Sequence, residues 1–128
     1  MLSHPLIMVG IGGAAGAMSR YLLVRAITPV LADGQYPFGT WLANISGSFL
    51  FGLLFVIISE RFNMSDPLRF SMLVGFFGAF TTFSSFSFET VRLLETGHII
   101  TAFIYILSSV ALCLLATWGG MRLGEFII

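Results

Sequence analysis

Apolar residues along the chain gather into four long runs, at about 5–24, 38–59, 68–94 and 99–123. Each reaches the ~20 residues that a helix needs to cross a ~30 Å hydrocarbon core. Short polar connections at 27–37, 60–67 and 95–98 separate the runs, punctuated by Pro29, Pro37, Pro67 and Gly97. The pattern predicts an all-α integral membrane protein, a single four-helix domain over 1–128 with both termini on one side of the bilayer. The first run has no basic flank or small-residue cleavage site ahead of it and is expected to remain as a span.

The third run departs from plain hydrophobicity. Between Gly75 and Glu89 it holds six phenylalanines, two glycines and six hydroxyl or carboxylate side chains. Polar groups in hydrocarbon must find partners, so a lipid-exposed anchor has little use for this mixture. Adjacent hydroxyl and β-branched residues from Thr81 onward compete with helical hydrogen bonding, and Gly75 and Gly78 loosen the turn before them. A helix break near Thr81 is predicted. Irregular backbone at membrane depth is tolerated only inside protein or along a cavity. Freed carbonyls there suit cations, whereas freed amides and helix N-termini suit anions.

Two polar ladders accompany the break. Thr40, Asn44 and Ser48 recur every fourth residue in the second run, and Thr101, Tyr105, Ser109 and Cys113 do so in the fourth. Such spacing keeps each set on one slowly drifting helical face. Asn44 either glues helices together through a hydrogen bond or lines a polar path. Hydroxyls are also able to bond their own i−4 carbonyls. Two ladders on different helices favour a shared seam. Phe83 and Phe86, three apart, are expected on one face, where their positive ring edges suit a small anion. A serine or threonine without a neighbouring base is no nucleophile, so enzymatic chemistry is not expected. Small-residue spacings at Gly12-Gly13-Ala14-Ala15-Gly16, Ala43/Gly47 and Ala116/Gly120/Gly124 predict close helix packing.

Composition narrows the class further. The chain is 57% hydrophobic and 9% charged, against about a quarter charged in soluble domains. Net charge is zero, which leaves no electrostatic footprint for nucleic acid. Cys113 is the one cysteine, which excludes an intrachain disulfide or a cysteine metal cluster. All basic residues are arginines. Arg20, Arg25 and Arg92 fall on one side of the membrane, with Arg61, Arg69 and Arg122 on the other. This balance gives the positive-inside rule no preferred direction and predicts dual topology with antiparallel pairing of copies. Arg20 lies within snorkelling reach of the interface, and Glu89 is expected at an interface or vestibule.

The motifs Gly16-x-x-x-Arg20, Gly39-Thr40-x-x-x-Asn44 and Gly78-x-x-Thr81-Thr82-Phe83-Ser84-Ser85-Phe86-Ser87 resemble the small dual-topology fluoride channels of the Fluc/CrcB family. Their order and spacing cover essentially the whole chain. The resemblance implies an antiparallel homodimer in the cell (inner) membrane, with two fluoride pores that passively relieve fluoride toxicity. It implies a fluoride pathway through Thr40, Asn44, Phe83, Phe86, Tyr105 and Ser109, with Arg20 and Glu89 as vestibule charges. It further implies a structural sodium ion at the dimer interface, held by the Gly78 and Thr81 backbone carbonyls of each copy. Cys113 stands where the polar track is expected to continue with serine. The main rival is a small dual-topology, proton-coupled exporter of cationic drugs, which wants a carboxylate deep in a helix. A purely structural subunit would leave the cluster from Thr81 to Ser87 without purpose.

Overall fold

The computed structural model describes residues 4–30 and 32–128; residues 1–3 of the expected domain and Leu31 of the first connection lie outside it. Helix α1 spans Pro5–Ile27. Proline at its first position sacrifices no helical hydrogen bond, and the His4 imidazole accepts the Leu6 N–H at 3.2 Å. The helix outlasts the apolar run because Arg25 suits the last turn, where carbonyls are unpaired. Helix α2 spans Phe38–Glu60, and the closing helix α6 spans Ile99–Ile127.

The third membrane-length segment is composite. It opens with α3, Asp66–Phe70, and continues through Ser71–Phe77 as a π-helix. A last short turn, α4, covers Gly78–Phe80. Thr81 and Thr82 are extended, and α5 then runs over Phe83–Glu95. The break falls where the hydroxyl cluster predicts it. The Thr81 hydroxyl bonds back to the Phe77 carbonyl at 2.9 Å, while the Thr82 hydroxyl caps the new helix by accepting the Ser85 N–H at 3.1 Å. Gly97, at φ +83°, closes α5 in the left-handed region.

The π-helical stretch was not legible in the apolar pattern, which suggests a regular α-helix from 68 onward. Its setting is a main-chain contact with α1. A Cβ on Gly12 would collide with the Ser71 carbonyl, and one on Gly16 with the Phe76 carbonyl. Gly75 answers from the other side, where a Cβ would sit 2.6 Å from the Val9 carbonyl oxygen. The small-residue spacing of α1 thus serves backbone contact with the first half of the third segment.

Counting α3 to α5 as one composite segment, four helices among the described residues are long and apolar enough to cross a membrane. They alternate in direction. Arg92, near the end of α5, pairs with Asp33 of the first connection at 3.2 Å, and Arg61, just past α2, reaches the Ile127 carbonyl at 3.4 Å. Large apolar side chains of α6 such as Phe103, Leu107 and Leu114 face outward, while Ala102, Tyr105, Ser109 and Gly120 face in. This apolar outside and small, polar inside fits a bilayer as solvent.

Candidate ion pathway

Helices α2 and α6 run parallel, and their ladders meet rung by rung. Thr40 lies beside Tyr105, Asn44 and Ser109 line one cavity, and Ser48 lies beside Cys113. One turn further, Gly52 faces the Thr117 carbonyl so closely that a Cβ would collide with it. A constant offset joins every pair, so the two faces form one polar column along the membrane normal. Thr101, at the mouth end of the α6 ladder, has no α2 counterpart, because its match in that register would precede Pro37.

Asn44 anchors the column to the helix break. Its side-chain oxygen accepts the Thr82 N–H at 2.7 Å, and its amide nitrogen donates to the Thr82 carbonyl at 3.1 Å. One N–H of the amide stays available to the cavity. Across the break, the Arg20 Nε donates to the Ala79 carbonyl at 3.0 Å. The guanidinium therefore turns across to the third segment.

The cavity at the centre has a volume of about 280 Å³, and Asn44, Ser48, Phe83, Phe86, Ser109 and Cys113 are on its wall. Phe83 and Phe86 touch, with centroids 5.4 Å apart, but their surroundings differ. Phe86 is 9% exposed and packs on Tyr105 at 5.1 Å, whereas Phe83 is 78% exposed. Phe83 opens α5, so no preceding turn covers it.

Toward the end holding the first connection, a second cavity of about 670 Å³ is lined by Arg20, Thr40, Ser84, Ser85 and Glu89. A third, of about 590 Å³, has Asp33, Arg92 and Glu89 on its wall. Glu89 is buried, on the wall of both cavities. It sits in the middle of α5. Among the described residues, three fully enclosed side-chain oxygens have no hydrogen-bond partner: Glu89 Oε1, Tyr105 OH and Ser109 Oγ. Unpaired groups of this kind cost about 1–3 kcal/mol each and call for a functional explanation. Tyr105 and Ser109 belong to the column, and Glu89 lies on the wall of the wider cavity.

A family model described as "CrcB-like protein, Camphor Resistance (CrcB)" matches residues 7–121. The chain belongs to this CrcB-like family. It is 42% identical over 116 residues to the "Fluoride-specific ion channel FluC" of Geobacter sulfurreducens, covering 91% of this chain and 93% of the relative. The protein of the same name from Hahella chejuensis is 43% identical over 123 residues, covering 96% of each chain. That of Magnetococcus marinus is 44% identical over 119 residues, covering 93% and 96%.

Within this CrcB-like chain the structure gathers Thr40, Asn44, Phe86, Tyr105 and Ser109 along one column, leaves Phe83 on its rim, and sets Arg20 and Glu89 in the wider cavity. Gly78 precedes the break and Thr81 lies in it, and both line a separate cavity of about 470 Å³. Sequence reasoning missed a further set. The Tyr36 hydroxyl meets Ser108 Oγ at 2.7 Å, and the Trp41 Nε1–H donates to the same oxygen at 3.1 Å. The Tyr36 ring also packs edge-on to Tyr105 at 5.4 Å. The one available signal was a serine doublet, Ser108-Ser109, which offers a hydroxyl to two neighbouring faces.

Proposed function

We propose that this membrane protein is a channel that conducts fluoride passively through the polar column, exporting it from the cell across the inner membrane and so relieving toxicity. The observation that carries the reading is the column itself, with unpartnered Ser109 and Tyr105 hydroxyls next to the Phe86 ring. Fluoride is small and strongly hydrated, so a selective path must replace water's hydrogen bonds with an equivalent set. Hydroxyl donors, the spare Asn44 N–H and positive ring edges supply one. The N-terminus of α5 adds a positive dipole end at the break. Arg20 at the wide cavity draws anions in without sitting in the narrow part.

The conducting unit is an antiparallel homodimer with two pores. Two features support it: arginines balanced between the two sides, and Phe83 so exposed on the cavity rim that a second copy is needed to enclose it. A sodium ion at the interface fits the residues present. The Gly78 carbonyl loses its helical donor because Asn44 takes the Thr82 N–H. The Thr81 carbonyl loses its own because Thr82 Oγ1 takes the Ser85 N–H. Gly78 is exposed, and nothing lies within 4 Å of where its Cβ would stand. Two carbonyls from each copy would give a hard cation an all-oxygen set. When bound, the ion joins the two breaks electrostatically; the chain's own part is to hold those carbonyls outward.

Burial of Glu89 favours the proton-coupled exporter at one point, since such carriers need an enclosed carboxylate. Fluoride-loaded vesicles separate the two readings. Fluoride release without any proton gradient is expected; no fluoride release, with gradient-driven transport of an organic cation instead, would favour the exporter.

A further inference from the structure

We propose that Tyr36, anchored by Ser108, is a positioning residue for the narrow part of the column. It backs the Tyr105 ring and, through that ring, sets Phe86 on the cavity wall. The role rests on the column being the fluoride path; the anchor itself does not. Neither Tyr36 nor Ser108 is on the wall of the central cavity, so both act at one remove.

The Tyr105 hydroxyl is enclosed and has no hydrogen-bond partner, so no polar bond fixes this side chain. Ring packing sets its place, with Phe86 at 5.1 Å and Tyr36 edge-on at 5.4 Å. Tyr36, by contrast, is tied at its polar end. The Trp41 Nε1–H donates to Ser108 Oγ at 3.1 Å, and the Ser108 proton is directed at the Tyr105 carbonyl, 3.5 Å away. The Tyr36 O–H is therefore the donor in its 2.7 Å bond to the same oxygen. These two donors occupy both lone pairs of Ser108. Ser108 thus holds Tyr36 without competing for the Tyr105 hydroxyl.

Tyr36 stands in a connection, where a ring without such ties would be mobile. The main chain adds a second restraint. Pro37 is fully buried, with φ −80° and ψ 70°, and the Phe38 N–H donates to the Tyr36 carbonyl at 2.9 Å. This inverse γ-turn presents Tyr36 to α6 just ahead of α2. Phe38 then packs on the Tyr36 ring at 4.7 Å.

The test measures initial fluoride efflux from liposomes holding the full chain, over a range of fluoride concentrations. Ser108→Ala and the milder Tyr36→Phe should each raise the half-saturating concentration about fivefold, the size of one weakened hydrogen bond. Ser108→Thr keeps the oxygen and should restore it. A merely structural role would lower the maximal rate through fewer folded copies and leave half-saturation unchanged. That result in both variants would overturn the proposal, and so would a Ser108→Thr protein as impaired as Ser108→Ala. Trp41 gives a readout independent of flux. With Trp118→Phe it is the single tryptophan, and its indole N–H Raman band should report weaker hydrogen bonding in Ser108→Ala. An unmoved band would overturn the anchor. If the unaltered protein passes no fluoride, the conducting path and the positioning role both fall, while the Raman band still decides the anchor.

Discussion

Asn44 holds the main chain of Thr82 as a neighbouring β-strand would, accepting its N–H at 2.7 Å and donating to its carbonyl at 3.1 Å. The pairing satisfies both backbone groups of a residue that no helix serves, as irregular backbone within a membrane-length segment requires. It also turns the two halves of the third segment apart and frees the Gly78 carbonyl. One side chain thus sets the break and faces the cavity. Asn44→Ala removes both bonds and strands both groups, a loss of about 2–4 kcal/mol. Thermal unfolding in detergent should show a clear drop, together with loss of fluoride flux. Unchanged stability would mean that the break holds without Asn44.

The unequal surroundings of Phe83 and Phe86 predict unequal variants. Phe86→Ile forfeits a ring packed on Tyr105 and should cost about 1–3 kcal/mol of stability. Phe83→Ile, on the exposed rim, should change protomer stability by less than about 0.5 kcal/mol. Both should lower fluoride efflux while size-exclusion chromatography still reports a dimer. Normal efflux in both would reduce the rings to packing.

Much of this arrangement was legible in the chain, and the rest was hidden for identifiable reasons. The four spans follow from hydrophobic length, and the break from a cluster of residues that disfavour helix. The facing ladders follow from four-residue spacing, but their pairing depends on how far α2 and α6 slide past each other. Only packing at positions such as Gly52 and Gly120 decides that. The burial of Glu89 follows from packing of α5 and has no local signal in the chain. The reach of Arg20 to Ala79 and the convergence of Tyr36 and Trp41 on Ser108 join residues far apart in sequence, with no local pattern to announce them.

If Gly78 and Thr81 hold sodium between two copies, removing the ion should weaken the dimer. Exchange of sodium for a large organic cation is expected to lower the temperature at which the dimer dissociates, read by light scattering independently of flux. An unchanged dissociation temperature would argue against a structural ion.

Balanced arginines predict that copies insert both ways. A tag on the C-terminus should be accessible from both sides of the membrane in cells. Labelling from one side alone would remove the basis for antiparallel pairing.

The central claim is that the polar column passes fluoride selectively. Its most direct measurement is ion efflux from liposomes that contain only the purified protein, compared across fluoride, chloride and other monovalent anions. The account predicts rapid fluoride release with chloride release near the protein-free leak. Equal rates for fluoride and chloride would contradict it.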